Sequence, residues 1–481
     1  VLATADEHGW LEPLTSKSGG TYQGGVAYLM GQLVSKEAYR ASTTVLLSAG
    51  DMWTGPYEST VLKGRPMVQA MNAMGYDAAA VGNHDLDFGE EVLLKRAGEA
   101  AFPFLSANLR TRTTRATPGY ARPFTVTEAA GVRVGVVGLT TLETPYTTDR
   151  RFLAGLELEP YVPALARAVP AAREAGAELV VVLAHAELSD MRQHAASLRA
   201  LGINLVLCGH RHAPGLEVDA GDPATPADDV VFCSPGPYAR SYCRVELSLD
   251  GKTRAFLGHT SSIETVAGQL ARPTFAPHDG LMGLVAEARS QAEVQGNEVL
   301  AEVPAGLARQ LPAHTMGHLV VDTWLQAVPA AEFALTNAGG FRQDVAPGPV
   351  RMRDLIGAMP FDNYLVVVKL RPDQVAEALE NPQTIPGGLS FEYRQDPMGK
   401  RTVTRVLDRQ GIPLDRTRTY AVVVNDFMYR GGDRYRFKEQ DPAPRETGLH
   451  WREPVARYMR AMTAARAPVV APAGARMRVV P

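Results

Sequence analysis

Three cysteines in 481 residues leave the chain without a disulfide framework, and Cys208, Cys233 and Cys243 lack the paired spacing of a zinc site. They read as buried, inert thiols that behave as small hydrophobes, and they carry no information about compartment. Long apolar runs are also missing, which excludes a membrane-spanning helix. The formal net charge of −3 supplies no basic field for nucleic acid. What remains, at 45% hydrophobic and 21% charged residues, is the composition of a globular protein. A chain of this length exceeds one ordinary core, so two domains are expected. The first residue is Val1 rather than Met, and "VLATADEHG" reads as a strand from its start. The expectation is that something upstream, such as a secretory leader, has been removed.

Short apolar runs alternate with helical stretches through the first half, the pattern of an α/β domain. "TTVLLSA", "GVRVGVVGL", "AELVVVLA", "INLVLC" and "VVFCS" read as strands; "PMVQAMNAMG" and "YVPALARAVPAAREAG" read as helices that end in a capping glycine. Near residue 265 the pattern breaks. A Pro-rich stretch and the helical "LMGLVAEARSQAEVQG" suggest a partly helical linker over 267–296. The domains are then 1–266 and 297–481. The second is also α/β, with "AHTMGHLVVDTWLQAV" and "DQVAEALEN" as helices and "NYLVVVKL" and "TYAVVVND" as strands.

The ends of the first-half strands share one chemistry. "TADEHG" supplies Asp6 and His8, "LLSAGD" Asp51, "VGNHD" Asn83 and His84, "VVLAHAE" His185, and "LVLCGHRH" His210 and His212. Five of the eleven histidines therefore follow apolar strands directly, where catalytic groups gather at the carboxyl edge of a sheet. Separate turns have no reason to choose the same ligand types. Carboxylate, imidazole and amide oxygen suit Zn, Mn, Co or Fe, and a ligand set without Cys argues against a closed structural zinc. Asp-x-His at 6 and 8, like His-x-His at 210 and 212, is expected to set both side chains on one side of an extended segment. Asp51 can bridge two cations, and two metals about 3.5–4 Å apart are suited to clamping a phosphoryl group for hydrolysis. Asn83 is then a ligand, His84 faces the substrate, and Asp87 orients His84. Asp85 reads as a plain loop residue.

In this order, "DEHG", "GD", "GNHDLDFG", "LAH" and "GHRH" resemble the motifs of the calcineurin-type metallophosphoesterase domain. With the second half included, the chain resembles the secreted or periplasmic 5′-nucleotidase family, UDP-sugar hydrolases among its members. The resemblance runs from Asp6 to about Asp433. It implies a four-layer α/β/β/α sandwich followed by a smaller α/β nucleotide-binding domain. It also implies two divalent ions (Zn, Mn or Co), one on Asp6, His8, Asp51 and His212 and the other on Asp51, Asn83, His185 and His210. His84 and Asp87 become the catalytic dyad. In the second half, "NAGGFR" resembles the substrate loop and carries Asn337 and Arg342; "MPFDN" supplies Phe361, and "VNDFMYRGGDRY" supplies Phe427 and Asp433. The two rings can stack a base, worth about 1–3 kcal/mol. Asp433 suits a ribose hydroxyl, and Arg309 and Arg342 suit phosphate. The family usually has Gly after "GGD", where this chain has Arg434. The expectation is a locally different loop, or an added cation, rather than an arginine at positive φ.

The substrate implied is an AMP-like nucleotide, with periplasmic or extracellular localisation and a hinge between the domains. Nucleic acid is not an expected partner, and the oligomeric state is open. Alternatives are a 2′,3′-cyclic-nucleotide phosphodiesterase with 3′-nucleotidase activity, and the thiosulfohydrolase of the sulfur-oxidation branch, which has no need of a base-stacking pair. A binding protein with a degenerate metal site would lack ligands that are all present here.

Overall fold

Alternation along three short strands decides the layering of the first half. In Leu2–Thr4, Leu46–Ser48 and Ala78–Ala80, one face carries Leu2, Leu46 and Ala79, and the other carries Ala3, Leu47, Ala78 and Ala80. Both faces are buried, so these strands read as continuous apolar runs, as central parallel strands do. The computed structural model describes residues 1–15, 22–221, 228–266, 275–310, 314–472 and 474–480. The chain divides into two units, Val1–Ala292 and Glu293–Pro481.

The first unit holds two six-stranded sheets. One runs in the order Phe256–Thr265, Ser241–Leu249, Leu2–Thr4, Leu46–Ser48, Ala78–Ala80, Phe104–Leu105, its last four strands parallel. The other runs Gly215–Asp219, Val230–Ser234, Leu205–Cys208, Leu179–His185, Val132–Thr140, Phe124–Ala129, with its central four parallel. Ala3, Leu47 and Ala80 of the first sheet share one core with Val136, Val181, Leu183 and Leu207 of the second. The outer face of the first sheet packs on the helices Val26–Lys36 and Arg65–Met74, and that of the second on Tyr161–Glu174. This is the four-layer α/β/β/α arrangement. The sheets approach so closely that a Cβ on Gly138 would lie 2.4 Å from that of Leu105, which only glycine avoids.

One expectation changes here. Cys233 and Cys243 form a disulfide and are not inert thiols; only Cys208 is a free, buried cysteine. Cys233 lies on a strand of the second sheet and Cys243 on a strand of the first, and both side chains enter the shared core. Cys208 faces the opposite side of its sheet, among the helix-facing residues. Residues 267–274 lie outside the described residues, and the helix Asp279–Gly296 buries Leu281, Val285 and Ala288 in the first unit's core. The division between units falls within this helix, after Ala292.

The second unit is built on a five-stranded sheet in the order Thr384–Gly387, Phe333–Asn337, Tyr420–Asn425, Tyr364–Leu370, Arg445–His450. Leu319, Val320 and Trp324 of the helix Thr315–Ala327, with Val455 and Met459 of Glu453–Ala464, cover one face. The helix Pro372–Glu380 and a three-stranded sheet holding Phe391 and Val406 cover the other.

One buried pair of histidines is expected to make this unit sensitive to acid. His314, 1% exposed, and His318, 4% exposed, lie one turn apart at the start of the helix Thr315–Ala327. Among the described residues neither ring nitrogen of His314, nor Nε2 of His318, meets a hydrogen-bond partner. Burial is the main cause that lowers both imidazoles to about 4; Arg309 adds to it at His314 and Arg476 at His318, while Asp344 and Asp322 respectively oppose it. The unfolded chain takes up these protons near pH 6.5, above the folded value. The stability these histidines contribute is therefore complete above pH 6.5 and is lost as pH falls toward 4. Unfolding of the full chain followed against pH is expected to weaken across this window, and His318→Leu to flatten the loss. An unchanged acid profile in that variant would refute the assignment.

Candidate active site

The candidate ligands leave their strands by abrupt turns. Asp6 (φ 52), His8 (φ 46), Asp51 (φ 60), His210 (φ 77) and His212 (φ 57) all lie in the left-handed region. This corrects the period-two argument: Asp6 and His8 converge because two left-handed residues flank Glu7, not because the segment is extended. Such backbone costs on the order of 1–3 kcal/mol per residue and persists where surrounding structure over-determines it. Gly82 allows the closest approach, since a Cβ there would lie 2.1 Å from Asp51 Oδ1.

Two clusters result. Asp6, His8 and His212 bring ligand atoms within 4.8 Å of one another, and so do Asp51, His185 and His210. Asp51 links them: its Oδ2 lies 3.2 Å from His185 Nε2 and 3.7 Å from His8 Nε2. That oxygen is buried and accepts no hydrogen bond among the described residues. The Asn83 side-chain oxygen Oδ1 lies 3.0 Å from His185 Nε2, joining the second cluster. In the first, His8 Nε2 and His212 Nε2 point at each other across 2.8 Å, and His212 Nε2 lies 3.6 Å from Asp6 Oδ1.

The outer nitrogen of each imidazole is anchored. His8 Nδ1–H donates to the Thr54 carbonyl at 2.8 Å, and His185 Nδ1–H to the Ala49 carbonyl at 2.8 Å. His210 Nε2–H donates to Glu143 Oε2 at 3.2 Å, and His212 Nδ1 faces the Tyr238 hydroxyl at 3.5 Å. Outer partners of this kind select the tautomer and leave the other nitrogen for a metal. Converging nitrogens, an orphaned carboxylate oxygen between two clusters and fixed tautomers together fit two divalent cations.

Charges in the cluster act directly on one another. Burial pushes the Asp6 carboxyl up, while the cation of His185 opposes it. Burial also resists ionisation of Asp51, but the imidazoles of His185, His84 and His8 outweigh it and hold Asp51 well below the ordinary carboxylate range. His185 shows the reverse balance: burial lowers it, and the Asp51 carboxylate overrides burial to raise it to about 9. Burial lowers His210.

His84 Nδ1–H donates to Asp87 Oδ2 at 2.9 Å, and the backbone N–H of His84 donates to Asp51 Oδ1 at 2.7 Å. Asp85 is not a plain loop residue. It is 1% exposed, and its carboxylate accepts from the backbone N–H groups of Gly82 (2.8 Å), Met52 (2.8 Å) and Asp51 (3.1 Å). It therefore ties the Asp51 loop to the Asn83 loop.

Sequence reasoning passed over three further groups. Glu143 follows the strand Val132–Thr140, so the strand-end rule reaches it. Glu7 is buried and accepts from Ser48 Oγ at 2.9 Å, yet nothing in its spacing sets it apart. Tyr238 sits in an irregular loop with no local signal.

In the second unit an amide chain holds the substrate-loop candidates. Asn425 Nδ2 donates to Asn337 Oδ1 at 2.9 Å, and Asn337 Nδ2 donates to Asp433 Oδ2 at 2.7 Å. The Arg342 guanidinium lies over the Phe361 ring, 5.8 Å from its centroid. Arg309 reaches the same loop, donating from Nη1 to the Phe341 carbonyl at 3.4 Å. Phe427 lies on the backbone of Gly432, where a Cβ would be 2.4 Å from the ring. Phe361 and Phe427 are both half-buried, against cores on opposite faces of the sheet. Arg434 corrects an expectation: it does adopt positive φ (64), directly after Asp433 (φ 49). Asn381 Nδ2, donating to the Asp433 carbonyl at 2.9 Å, helps to hold this loop.

Known proteins resemble the whole chain. The family model for the 5′-nucleotidase C-terminal domain matches residues 294–439. A 5′-nucleotidase of Bos taurus is 25% identical over 501 residues, covering 93% of this chain and 86% of that protein. The crystal structure of a 5′-nucleotidase precursor from Thermus thermophilus matches with a TM-score of 0.84 at 25% identity, covering 100% of this chain and 98% of that one. A sulfate thiohydrolase of Thermus thermophilus, solved with glycerol, shares the fold at 19% identity, with a TM-score of 0.76 over 100% of this chain and 96% of that one.

Two substitutions separate ligands from the His84–Asp87 pair. Asp51→Ala is expected to lower bound divalent metal from about two per chain toward one or none and to abolish phosphatase turnover. Retention of both metals, measured by elemental analysis after dialysis, would contradict the bridging role. His84→Ala is expected to keep its metal while kcat falls by about 10²- to 10⁴-fold. Loss of metal alongside activity would place His84 among the ligands.

Proposed function

From the premise that the chain belongs to the 5′-nucleotidase family of metal-dependent phosphoric ester hydrolases, we propose that it removes phosphate from nucleotides, with AMP-like 5′-nucleotides as the principal class and UDP-sugars as a further one. The observation that carries the reading is the Asp51 carboxylate shared between two imidazole clusters, beside the hydrogen-bonded His84–Asp87 pair.

Asp6, His8, Asp51 and His212 would hold one divalent cation, and Asp51, Asn83, His185 and His210 the other, as Zn, Mn or Co. When bound, such a pair supplies Lewis-acid activation of water and neutralises charge on the phosphoryl oxygens. Asp87 fixes His84 through Nδ1 and favours its imidazolium, so His84 directs Nε2–H at a phosphoryl or leaving-group oxygen as charge develops there. Asp6, anchored by the His210 backbone N–H at 3.0 Å to each carboxylate oxygen, keeps the two clusters in register.

The first unit, 1–266 in its catalytic part, carries this chemistry, and residues 297–481 bind the nucleoside. Phe361 and Phe427 stack the base, Asp433 accepts a ribose hydroxyl, and Asn337 holds Asp433 in place. Arg309 and Arg342 offer bidentate contacts to phosphate. The Phe pair favours a nucleotide over the sulfur-carrier substrate of a thiosulfohydrolase, which has no base to stack. A 2′,3′-cyclic nucleotide would use the same groups and is compared in the same assay. The Cys233–Cys243 disulfide supports an oxidising compartment, periplasmic or extracellular.

Phosphate release from AMP, a UDP-sugar, a 2′,3′-cyclic nucleotide and p-nitrophenyl phosphate tests the substrate class, with AMP expected to lead. Phe361→Ala and Phe427→Ala are expected to raise KM for AMP about tenfold or more while leaving p-nitrophenyl phosphate turnover nearly unchanged. Equal losses on both substrates would make the rings core packing, and sulfate release from a thiosulfonate carrier in place of phosphate from AMP would overturn the function.

A further inference from the structure

One residue touches every member of the first cluster. The backbone N–H of Tyr238 donates to the Asp6 carbonyl at 2.8 Å. Its ring packs edge-on against His8 and His212, with centroids 5.9 and 5.5 Å away. Its hydroxyl stands 3.5 Å from His212 Nδ1. Tyr238 is itself closely held: it is 7% exposed, Trp10 packs on it at 5.3 Å, and the Arg240 guanidinium lies 5.4 Å from its ring centroid.

The loop that presents it is constrained in a way that local sequence does not explain. Tyr238 (φ 69) and Ala239 (φ 52) are consecutive non-glycine residues in the left-handed region, a conformation that bulky side chains disfavour. The Cys233–Cys243 disulfide closes this loop over a separation of 10 residues, bridging the strands Val230–Ser234 and Ser241–Leu249 on either side of it. The carbonyls of Tyr238 and Ala239 both crowd Gly24, where a Cβ would lie 2.9 Å from each.

We propose that Tyr238 is the positioning residue of the Asp6–His8–His212 cluster, and that the Cys233–Cys243 disulfide acts on that cluster through it. His212 needs such a partner most. Its side chain is 26% exposed, whereas those of His8 and His185 are 1% and 0% exposed and are anchored by backbone carbonyls. The Tyr238 hydroxyl accepts from His212 Nδ1–H, which selects the tautomer with Nε2 free for a cation. The ring restricts rotation of His8 and His212, and the backbone bond holds the Asp6 turn. The imidazoles of the second cluster are set by other groups, His210 by Glu143 and His185 by the Ala49 carbonyl. The proposal rests on reading both clusters as metal sites.

The test is Zn²⁺ titration of the full-length apo protein against a chromogenic chelator, alongside thermal unfolding of the apo form. Wild type is expected to bind two ions. Tyr238→Phe keeps the ring and is expected to weaken one of the two by about 10- to 100-fold, leaving the other and the apo melting temperature unchanged. Cys233→Ser/Cys243→Ser is expected to weaken the same ion. In a His212→Ala background, Tyr238→Phe is expected to add nothing, since the hydroxyl acts through that imidazole. Failure of wild type to bind Zn²⁺ would refute the metal-site reading and the proposal with it. Two-ion binding by wild type with unchanged affinities in Tyr238→Phe, equal weakening of both ions, or an additive loss on His212→Ala would overturn the proposal alone.

Discussion

A carboxylate taken out of water must be compensated, and Asp51 is 1% exposed at the centre of the first unit's strand ends. Leaving such a charge unpaired costs several kcal/mol, so the surrounding loops must bring cationic or polar groups to it. Its Oδ1 takes the backbone N–H of His84, and Oδ2 faces imidazoles from both clusters. Loops from different strands can meet at one point only if the strands end together. Two largely parallel sheets stacked face to face provide that, because their parallel strands deliver chain ends to one edge. The tight approach at Gly138 and the small side chains of Ala3, Ala78 and Ala80 between the sheets serve the same convergence.

The two units solve different chemical problems. The first gathers groups that carry or exchange charge, and its pKa shifts oppose one another: Asp51 is held down, Asp6 pushed up and His185 raised by its carboxylate neighbour. The second gathers neutral amides, aromatic faces and guanidinium groups around one carboxylate, through the Asn425–Asn337–Asp433 chain. Groups of this kind hold a ligand in register without changing its protonation. The sulfate thiohydrolase with the same fold makes the distinction concrete, since architecture alone does not choose between a phosphate ester and a sulfur substrate.

Strained backbone marks both places. Asp6, His8, Asp51, His210 and His212 in the first unit, and Asp433 and Arg434 in the second, all take positive φ without being glycine. Three of them are held by contacts from elsewhere: the Asp85 carboxylate on the Asp51 turn, the Tyr238 amide on the Asp6 carbonyl, and Asn381 on the Asp433 carbonyl. The strain is local and its support is distant, which keeps these side chains aimed inward when solvent would let them relax.

The α/β class and the placement of polar groups at strand ends were legible in the chain itself. The apolar run "AELVVVLA" forms the buried strand Leu179–His185, and the His that closes it lies at the end of that strand. Tertiary structure alone decided the pairing of Cys233 with Cys243, because that bond depends on two sheets meeting face to face. It also decided the left-handed turns at Asp6 and His8, where period-two spacing suggested an extended segment, and the positive φ of Arg434. The organising roles of Asp85, Glu143 and Tyr238 depend on which backbone N–H or imidazole lies opposite each side chain. Beyond Gly82, those neighbours come from other loops, 33 residues away for Asp85 and Met52, 67 for Glu143 and His210 and 26 for Tyr238 and His212, and no local pattern encodes them. Residue type and spacing determined which groups reach the edge of the sheet, and packing between sheets determined which of them face one another.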